Sequence, residues 1–490
     1  MRIVHISAEF APLAKAGGMG EVLVGLCREL TQLGHETEII LPKYDFIDLK
    51  TLNQVKLELA DFKCWESGQL HANAMWYAET EGCRLHLLEA RHPAGYFHRG
   101  KIYGCEDDTR RFIYFCRAVL EYLKLGNREI DILHLHDWHT ALCAVLARDL
   151  FQLPIKAIVL TLHNMEYQGH CASWDLDAIG LNGQKYLHKD KMQDPRFSEA
   201  INLLKGGLVY ADALVAVSPT YAREIVTPEG GFYLDQTLRK MKSKLTGILN
   251  GIDHHLWNPA ADPCLAAHFS EKSPIGTILT SKQKMRESLA KQWGLDPNKR
   301  PWVGAITRLV NQKGPELLEA AIEQVPAMGA TFLLLGASPN PKIQKHFDAL
   351  KKKFHGNAQV LLQFEYNERL AHQLYSALDF ILIPSTFEPC GLTQMIGMRY
   401  GAIPIARATG GLKDTVFDAE TSEKKRNGFL FSEMSPRAIH DVMKRAFAHF
   451  HKDGPAFEAL IQHAVQLDCS WKAPSQHYVQ LYRRLIAKPI

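Results

Sequence analysis

Two turns in the C-terminal half of the chain combine glycines with a single carboxylate. A short apolar run at 380–383 predicts a buried parallel strand, and the turn 388–391, Glu-Pro-Cys-Gly, follows it. A second predicted strand, 402–406, leads into the turn 409–411, Thr-Gly-Gly. Open α/β sheets bind ligands at such turns, where helix N-termini present N–H groups to an anion. Because the Glu388 carboxylate suits sugar hydroxyls rather than an anion, the two turns together indicate a nucleotide sugar.

Two cations lie beside a third turn. Arg308 and Lys313 are five residues apart and follow a predicted strand at 302–306. A guanidinium and an ammonium group placed before a helix can bind a diphosphate. By themselves, the two residues are equally consistent with solvated surface charges.

A glycine-rich loop near the start of the chain contains another cation. Lys15, Gly17 and Gly18 lie between a predicted strand at 3–7 and a predicted helix at 22–33. The glycines allow a ligand to approach the backbone closely, and Lys15 adds a positive charge. The loop lacks G-x-G-x-x-G, which disfavours a nicotinamide site. The alternative is a structural turn beside a surface lysine.

Polar residues also end two strands of the first half. His134 lies in the predicted strand 130–135, and His136, Asp137 and His139 follow it. They could bind a metal, because His134 and His136 share one strand face, but no second ligand set is near in sequence. A hydrogen-bonded strand end is the simpler alternative. His163 follows the predicted strand 157–162 and could be a structural partner or a site residue.

The spacing of apolar residues places these motifs in an α/β protein. Short buried runs alternate with segments of helical periodicity, which is typical of doubly wound parallel sheets. At 490 residues, the chain has room for two large domains of this kind. We predict two Rossmann-like domains facing a cleft, over 1–258 and 277–471, joined by a hinge over 259–276.

Other segments have weaker patterns. Short alternating runs over 50–105 include a polar loop with Tyr96, Phe97 and Tyr103, whose rings could pack locally or stack on sugars. Helical spacing predicts a helix over 196–210 and an amphipathic helix over 474–485.

Composition argues against several classes of function. Hydrophobic residues make up 46% and charged residues 22%, and the net charge of +4 gives no argument for nucleic acid, which needs a concentrated basic face. The ten cysteines form no C-x-x-C pair, so a zinc ribbon is disfavoured and free thiols suit a reducing compartment. We see no signal peptide, and no stretch approaches the ~20 apolar residues of a membrane helix. We therefore expect a cytoplasmic protein.

Several motifs occur in the order of a known family. In chain order they are Lys15-Ala16-Gly17-Gly18-Met19-Gly20-Glu21-Val22, His136-Asp137-Trp138-His139, residues 161–169, residues 308–314, residues 388–394, Arg399-Tyr400-Gly401 and Thr409-Gly410-Gly411-Leu412. Together they resemble the signatures of bacterial glycogen synthases and plant starch synthases. The resemblance runs from about residue 1 to residue 487.

The resemblance implies the GT-B architecture, in which the first domain binds the acceptor glucan and the second binds the nucleotide sugar. It also implies that the C-terminal helix, 472–490, packs back on the first domain. The implied partners are a nucleotide sugar and an α-1,4-glucan such as glycogen, with no nucleic acid and no membrane. No cofactor and no metal are expected, because cationic side chains replace the metal. The oligomeric state is not specified.

The resemblance also assigns roles to residues. The implied catalytic residues are His163, Glu388, Asp137 and Lys15. The residues implied in binding the nucleotide sugar are Lys15, Gly17, Gly18, Arg308, Lys313, Tyr366, Cys390, Gly391, Leu392 and Thr393. In this assignment Tyr366 stacks on the nucleobase, and His163 lies against the transferred glucose.

The implied reaction is transfer of glucose from ADP-glucose to the 4-hydroxyl at the non-reducing end of a glucan, with retention of configuration and release of ADP. Charge develops on the leaving diphosphate, and Arg308, Lys313 and Lys15 would offset it. The sequence shows no carboxylate pair at nucleophile spacing. The resemblance therefore favours front-face displacement, in which the departing phosphate takes the acceptor proton, over a glycosyl–enzyme intermediate.

Other classes of protein provide alternatives to this function. A glucan phosphorylase would need a pyridoxal-binding lysine context, which we do not find, and a sucrose synthase is usually much longer. A non-catalytic glucan-binding protein predicts loss of Lys15, Arg308, Lys313 or Glu388, yet all four are present. A purely structural α/β protein would not need the motifs together. Glu21 stands where many family members have Asp, so ADP-glucose and UDP-glucose both stay open as donors, as do regulation, primer requirement and chain-length preference.

Overall fold

A computed structural model describes residues 1–365, 367–421, 425–452 and 454–487 of the chain. The chain divides into two compact units. The first unit contains Met1–Asp253 together with the C-terminal segment that begins at Ser470, and the second is His254–Cys469. The segment over 259–276, which we predicted as a hinge, therefore lies in the second unit. The binding roles of the two domains stay predictions.

The first unit is built on a nine-stranded sheet beside a separate two-stranded one. Its strands are β1 (Arg2–Ile6), β2 (Glu36–Pro42), β3 (Asn53–Glu66), β4 (Gln69–Thr80), β5 (Cys83–Ala90), β6 (Ile130–His136), β7 (Ile155–Leu162), β8 (His170–Ala172), β9 (Ala200–Asn202), β10 (Ala213–Ala216) and β11 (Leu245–Gly247). Its helices are α1 (Gly18–Gln32), α2 (Asp108–Gly126), α3 (Trp138–Leu146), α4 (Ser173–Asp177), α5 (Leu203–Tyr210), α6 (Pro219–Glu224) and α7 (Asp235–Lys240).

The strand order of the large sheet is β11-β10-β7-β6-β1-β2-β5-β4-β3. The pairs from β11 to β5 are parallel, whereas β3, β4 and β5 are joined antiparallel. Parallel β1, β6 and β7 lie side by side at the centre, so their carboxyl ends meet at one edge of the sheet. The predicted site residues of this unit follow these three strands.

Two predictions for the first unit need correction. The helix over 196–210 is wrong: β9 precedes a shorter helix, α5, and the Asn202 side chain accepts a hydrogen bond from the Lys205 N–H as its N-cap. The weak pattern over 50–105 is in fact two long antiparallel strands followed by β5. Most of β3 is exposed, so its alternation of apolar and polar residues is faint.

The second unit is a six-stranded parallel sheet in the order β14-β13-β12-β15-β16-β17. Its strands are β12 (Trp302–Ile306), β13 (Thr331–Leu335), β14 (Val360–Gln363), β15 (Phe380–Ile383), β16 (Ile403–Arg407) and β17 (Phe429–Phe431). Its helices are α8 (Ile275–Trp293), α9 (Pro315–Ala327), α10 (Pro341–Lys353), α11 (Glu368–Ala377), α12 (Thr393–Arg399), α13 (Gly410–Thr415), α14 (Pro436–Lys452) and α15 (Gly454–Gln466). The prediction of two α/β units with parallel sheets is confirmed.

The last helix, α16 (Lys472–Ile486), belongs to the first unit and packs against α1 and β7. The Trp471 indole before it lies over Gly25 of α1, where an added Cβ would come within 2.1 Å of a ring carbon. A side chain at position 25 would therefore displace the tryptophan. Of the helices that the structure describes, none has the length and apolarity needed to cross a membrane.

Candidate active site

In the second unit, the predicted Glu388 and Lys313 form an ion pair. Lys313 Nζ lies 2.6 Å from Glu388 Oε2, and the Ser385 hydroxyl donates a 2.8 Å hydrogen bond to the same oxygen. The glutamate is 6% exposed, so its carboxylate is held in place by partners rather than by water. Lys313 follows β12, and Ser385 and Glu388 follow β15. These strands are neighbours in the sheet, which is why residues 75 positions apart meet.

The two glycine turns of the second unit pack against each other. An added Cβ at Gly410 would lie 1.9 Å from the Glu388 carbonyl oxygen, and one at Gly411 would lie 2.2 Å from the Cys390 carbonyl oxygen. The Gly411 N–H donates to the Glu388 carbonyl at 3.0 Å. Only glycines fit this approach, so the second turn fixes the backbone that carries Glu388.

Gln394 stabilises the same turn from inside. Its side-chain amide donates to the carbonyls of Cys390 and Gly391 at 3.2 and 2.8 Å, and Gln394 is fully buried. Gly391 has a φ of +74°, a conformation that glycine adopts without strain. Leu392 and Thr393 then begin α12. The predicted residues 390–393 therefore form one rigid turn at the end of β15.

Arg308 lies apart from that ion pair. Its side chain is exposed, and among the described residues it makes no side-chain hydrogen bond or ion pair. It follows β12 directly, five positions before Lys313. Tyr366, the predicted nucleobase partner, lies outside the described residues.

In the first unit, the predicted Lys15 also pairs with a glutamate. Its Nζ lies 2.6 Å from Glu21 Oε1, on the first turn of α1. The glycine loop beside it is organised by Glu9, which the sequence analysis did not identify. Glu9 Oε2 accepts hydrogen bonds from the N–H groups of Ala16 and Gly17 at 2.8 and 2.9 Å. The Gly17 N–H predicted for an anion is thus bound to an internal carboxylate, although nothing lies within 4 Å of the position a Gly17 Cβ would take.

Asp137 connects β6 to the turn after β7. Its Oδ1 accepts hydrogen bonds from the N–H groups of His163 and Asn164 at 2.7 and 3.3 Å. Burial nevertheless raises the pKa of Asp137 to about 7, since the two N–H donors only partly offset the loss of water. Its φ of +56° is unusual for a residue other than glycine, and this backbone turns the carboxylate towards the 163–164 segment.

Histidine side chains meet beneath this segment. His136 Nδ1 lies 3.0 Å from His163 Nε2, and His136 Nε2 lies 3.1 Å from His5 Nδ1. His134 stacks on His136 with 4.5 Å between ring centroids. The predicted sharing of one strand face by His134 and His136 is confirmed. Burial lowers the pKa of His5 and His163 to about 3 and lowers the pKa of His134 and His136 well below the usual value.

The metal alternative for His134, His136, Asp137 and His139 does not match this arrangement. His139 lies away from the stacked rings, against Tyr103 and Phe112, with centroid distances of 4.8 and 4.9 Å. Nitrogen atoms of His5, His134 and His136 lie within 4.8 Å of one another, but those of His134 and His136 already form hydrogen bonds with other side chains. These hydrogen bonds explain the cluster as an ordinary part of the packed core.

The aromatic loop mainly packs locally. Tyr96 and Phe97 are each 1% exposed, and the Tyr96 hydroxyl donates to Glu66. Tyr103 donates to Glu9 Oε1 at 2.9 Å and so supports the Lys15 loop. Stacking of Tyr96 or Phe97 on a sugar is therefore excluded by their burial.

Four residues that organise the site were not identified from the sequence: His5, Glu9, Ser385 and Gln394. Ser385 and Gln394 stand within three and six residues of Glu388, so proximity was a usable signal. No sequence signal pointed to His5 or Glu9. His5 meets its partner through the register of neighbouring strands, and Glu9 meets Ala16 and Gly17 because the loop after β1 folds back on itself.

Comparison with known proteins identifies the family of the chain. Residues 2–240 match a family model described as the starch synthase catalytic domain, and residues 286–450 match one described as glycosyl transferases group 1. The glycogen synthase of Protochlamydia amoebophila is 40% identical over 500 residues, covering 100% of both chains. The probable starch synthase 4 of Arabidopsis thaliana is 42% identical over 99% of this chain, which corresponds to 47% of its own length.

Solved structures of glycosyltransferases are also similar to this chain. The catalytic domain of starch synthase IV from Arabidopsis thaliana, bound to ADP and acarbose, has a TM-score of 0.95 and 42% identity and covers 99% of each chain. Sucrose-phosphate synthase from Thermosynechococcus elongatus, at 20% identity and a TM-score of 0.63, shares the fold. The chain belongs to the glycogen and starch synthase family of glycosyltransferases.

Proposed function

We propose that the chain transfers glucose from ADP-glucose to the 4-hydroxyl at the non-reducing end of an α-1,4-glucan, with retention of configuration and release of ADP. The observation that carries the proposal is the part-buried Lys313–Glu388 pair supported by Ser385. A cation for a diphosphate and a carboxylate for sugar hydroxyls meet at one strand edge. Full-length similarity to the ADP-bound starch synthase IV domain supports the choice of nucleotide.

The roles divide by charge. Lys313 and Arg308 offset the charge that develops on the leaving diphosphate, and Lys15 adds a third positive charge. Residues 390–393 border the same site on the donor side, and Tyr366 is proposed for the base. Glu388 binds donor hydroxyls, and Lys313 and Ser385 hold its carboxylate in place for that purpose.

Asp137 and His163 contribute to the sugar side. Asp137 fixes the 163–164 backbone, so the imidazole of His163 is held in one orientation. Neutral imidazole suits a neutral sugar, because a charged ring would repel the positive charge that develops on the glucose. We propose front-face displacement, in which the departing phosphate oxygen takes the proton of the acceptor hydroxyl as the new glycosidic bond forms. Cationic side chains would make a metal unnecessary in this scheme.

The test is nucleotide release by the purified full chain with glycogen present or absent, given ADP-glucose or UDP-glucose. We expect glycogen-dependent release of ADP that exceeds release of UDP. Faster UDP release would retain the transferase and reassign the donor, with Glu21 as the first residue to exchange for Asp. No release with either donor would contradict the proposed activity and favour a glucan-binding role. Cytoplasmic location is likewise proposed, and cell fractionation tests it.

A further inference from the structure

Three imidazoles of the first unit form a continuous hydrogen-bonded chain. It runs from His5 on β1, through His136 at the end of β6, to His163 after β7, with nitrogen–nitrogen distances of 3.1 and 3.0 Å. His5 is fully buried and His136 is 1% exposed, whereas His163 is partly exposed. The chain therefore leads from the dry core to the surface that carries a proposed site residue.

All three rings are neutral, because burial lowers the pKa of each. A neutral imidazole has one N–H donor and one acceptor nitrogen. If one ring of the chain donates through a given nitrogen, its other nitrogen must accept. Both hydrogen bonds consequently point in the same direction, and the tautomer at the buried end determines the tautomer at the exposed end.

The buried end distinguishes the two directions. His5 Nε2 is buried and has no hydrogen-bond partner among the described residues. In one direction this nitrogen would carry an unpaired N–H inside the core, and in the other it would carry an unpaired lone pair. Buried N–H groups without a partner are the rarer of the two in proteins. The favoured order is His5 Nδ1–H to His136 Nε2, then His136 Nδ1–H to His163 Nε2.

We propose that His5 and His136 are positioning residues that hold His163 as its Nδ1–H tautomer. Nδ1 of His163, which is the nitrogen outside the chain, is then a hydrogen-bond donor for an oxygen of the bound sugar. The identity of that ligand rests on the proposed function, whereas the tautomer rests on the hydrogen bonds alone.

His134 provides a matched control within the same core. It stacks on His136 but is outside the chain: its Nε2 hydrogen-bonds Thr161 Oγ1 and its Nδ1 hydrogen-bonds the Tyr482 hydroxyl, each at 2.7 Å. Tyr482→Phe removes one buried hydrogen bond a single ring away from the chain. It disturbs packing without breaking the path from His5 to His163.

The test is nitrogen NMR of the full chain labelled with [15N]histidine, in which the His163 signals are identified by their loss in His163→Asn. We expect Nδ1 of His163 to carry the proton and Nε2 to be unprotonated. Protonation at Nε2 in the wild type would overturn the proposal.

Variants then test the cause. We expect His136→Phe to give a mixture of His163 tautomers and about a tenfold loss of turnover, the scale of one neutral hydrogen bond, with KM for the nucleotide sugar nearly unchanged. Tyr482→Phe should keep the Nδ1–H form and turnover. If His136→Phe fails to fold, His5→Phe breaks the same chain at its other end and should give the same mixture. An unchanged tautomer in the folded variant would contradict the proposal.

These readouts separate the two hypotheses. A wild type that releases no nucleotide but shows an Nδ1–H tautomer would contradict the proposed function and support the tautomer assignment. A wild type that releases ADP with His163 protonated at Nε2 would do the reverse.

Discussion

Each unit contains a lysine–glutamate ion pair, and the surroundings of the two pairs differ. Lys15 pairs with Glu21 at 2.6 Å, and Lys313 pairs with Glu388 at 2.6 Å. In the first unit, the N–H groups of the neighbouring Ala16 and Gly17 already bind the carboxylate of Glu9. In the second unit, the carboxylate is held by a hydroxyl, and the exposed Arg308 adds a second positive charge.

The difference predicts unequal contributions of the two units to binding an anion. Because its backbone donors already bind an internal carboxylate, the loop of the first unit offers little to an added anion beyond the charge of Lys15. A lysine and an arginine around one turn suit a diphosphate. We therefore expect the second lysine to matter more than the first, and the predictions below test this ranking, beginning with the largest effect.

Lys313→Ala should reduce turnover more than 100-fold. The variant would remove the proposed charge-assisted contact of ~3 kcal/mol to the leaving diphosphate, and it leaves Glu388 without its ion-pair partner. Initial rates of ADP release in the presence of glycogen measure the loss of turnover. Lys353→Ala, which removes an exposed ion pair with Glu323 of 2.5 Å in the same unit, should keep the wild-type rate. Near-normal turnover in Lys313→Ala would end the assignment of Lys313 to the diphosphate.

Asp137→Asn should stabilise the protein more at pH 8 than at pH 5. The folded-state pKa of Asp137 is raised to about 7, so its ionisation costs stability as pH rises from its ordinary value through 7. Asn cannot ionise and still accepts the His163 N–H, so the gain should grow by about 2 kcal/mol between pH 5 and 7 and then level off. Urea unfolding across this range measures it. Asp61→Asn, at an exposed position, should show no such trend, and a gain independent of pH in Asp137→Asn would contradict the burial argument.

Lys15→Ala should reduce turnover about tenfold, or ~1.4 kcal/mol, which is less than the loss in Lys313→Ala. We expect a smaller effect because Glu9 already accepts hydrogen bonds from N–H groups of this loop. The same ADP-release assay measures it, with Lys156→Ala as the control because Lys156 forms an exposed 2.7 Å pair with Asp131 in this unit. Equal losses at Lys15 and Lys313 would contradict the ranking of the two units.

Glu9→Gln should give the smallest effect, about 1 kcal/mol of stability and a roughly threefold rise in KM for the nucleotide sugar. The amide oxygen can still accept from Ala16 and Gly17, but the hydrogen bonds lose their charge assistance. Thermal unfolding measures the loss of stability, and initial rates measure the rise in KM. Glu129→Gln, at an exposed position of the same unit, should change neither. A lower KM in Glu9→Gln would instead indicate that the Glu9 carboxylate competes with the ligand for these N–H groups.

Much of the second unit could be predicted from the sequence, whereas the edges of the first could not. Strands β12 and β15 have the predicted bounds, because fully buried parallel strands are continuous apolar runs between turn residues. β3 lies at the sheet edge and is mostly exposed, so its sequence resembles a loop. The helix predicted over 196–210 failed because Asn202 caps a helix that starts later and its amide reaches other segments of the chain.

The candidate site likewise contains residues that the sequence identified and residues whose environment it did not predict. Glu388, Lys313 and Lys15 were identified from turns and motifs, and their placement agrees with a site at strand ends. Tyr96 and Phe97 are local packing residues, since a ring on a loop can point either way and its burial depends on distant helices.

The sequence by itself determined which segments are strands, where their turns fall and which family the chain resembles, because these properties depend on neighbouring residues. The tertiary structure decided which distant groups meet. Parallel register places His5 opposite His134 and His136 opposite Thr161, and this register builds the imidazole chain to His163. A hydrogen bond between residues 131 positions apart depends on how strands align in the sheet, which no local pattern encodes.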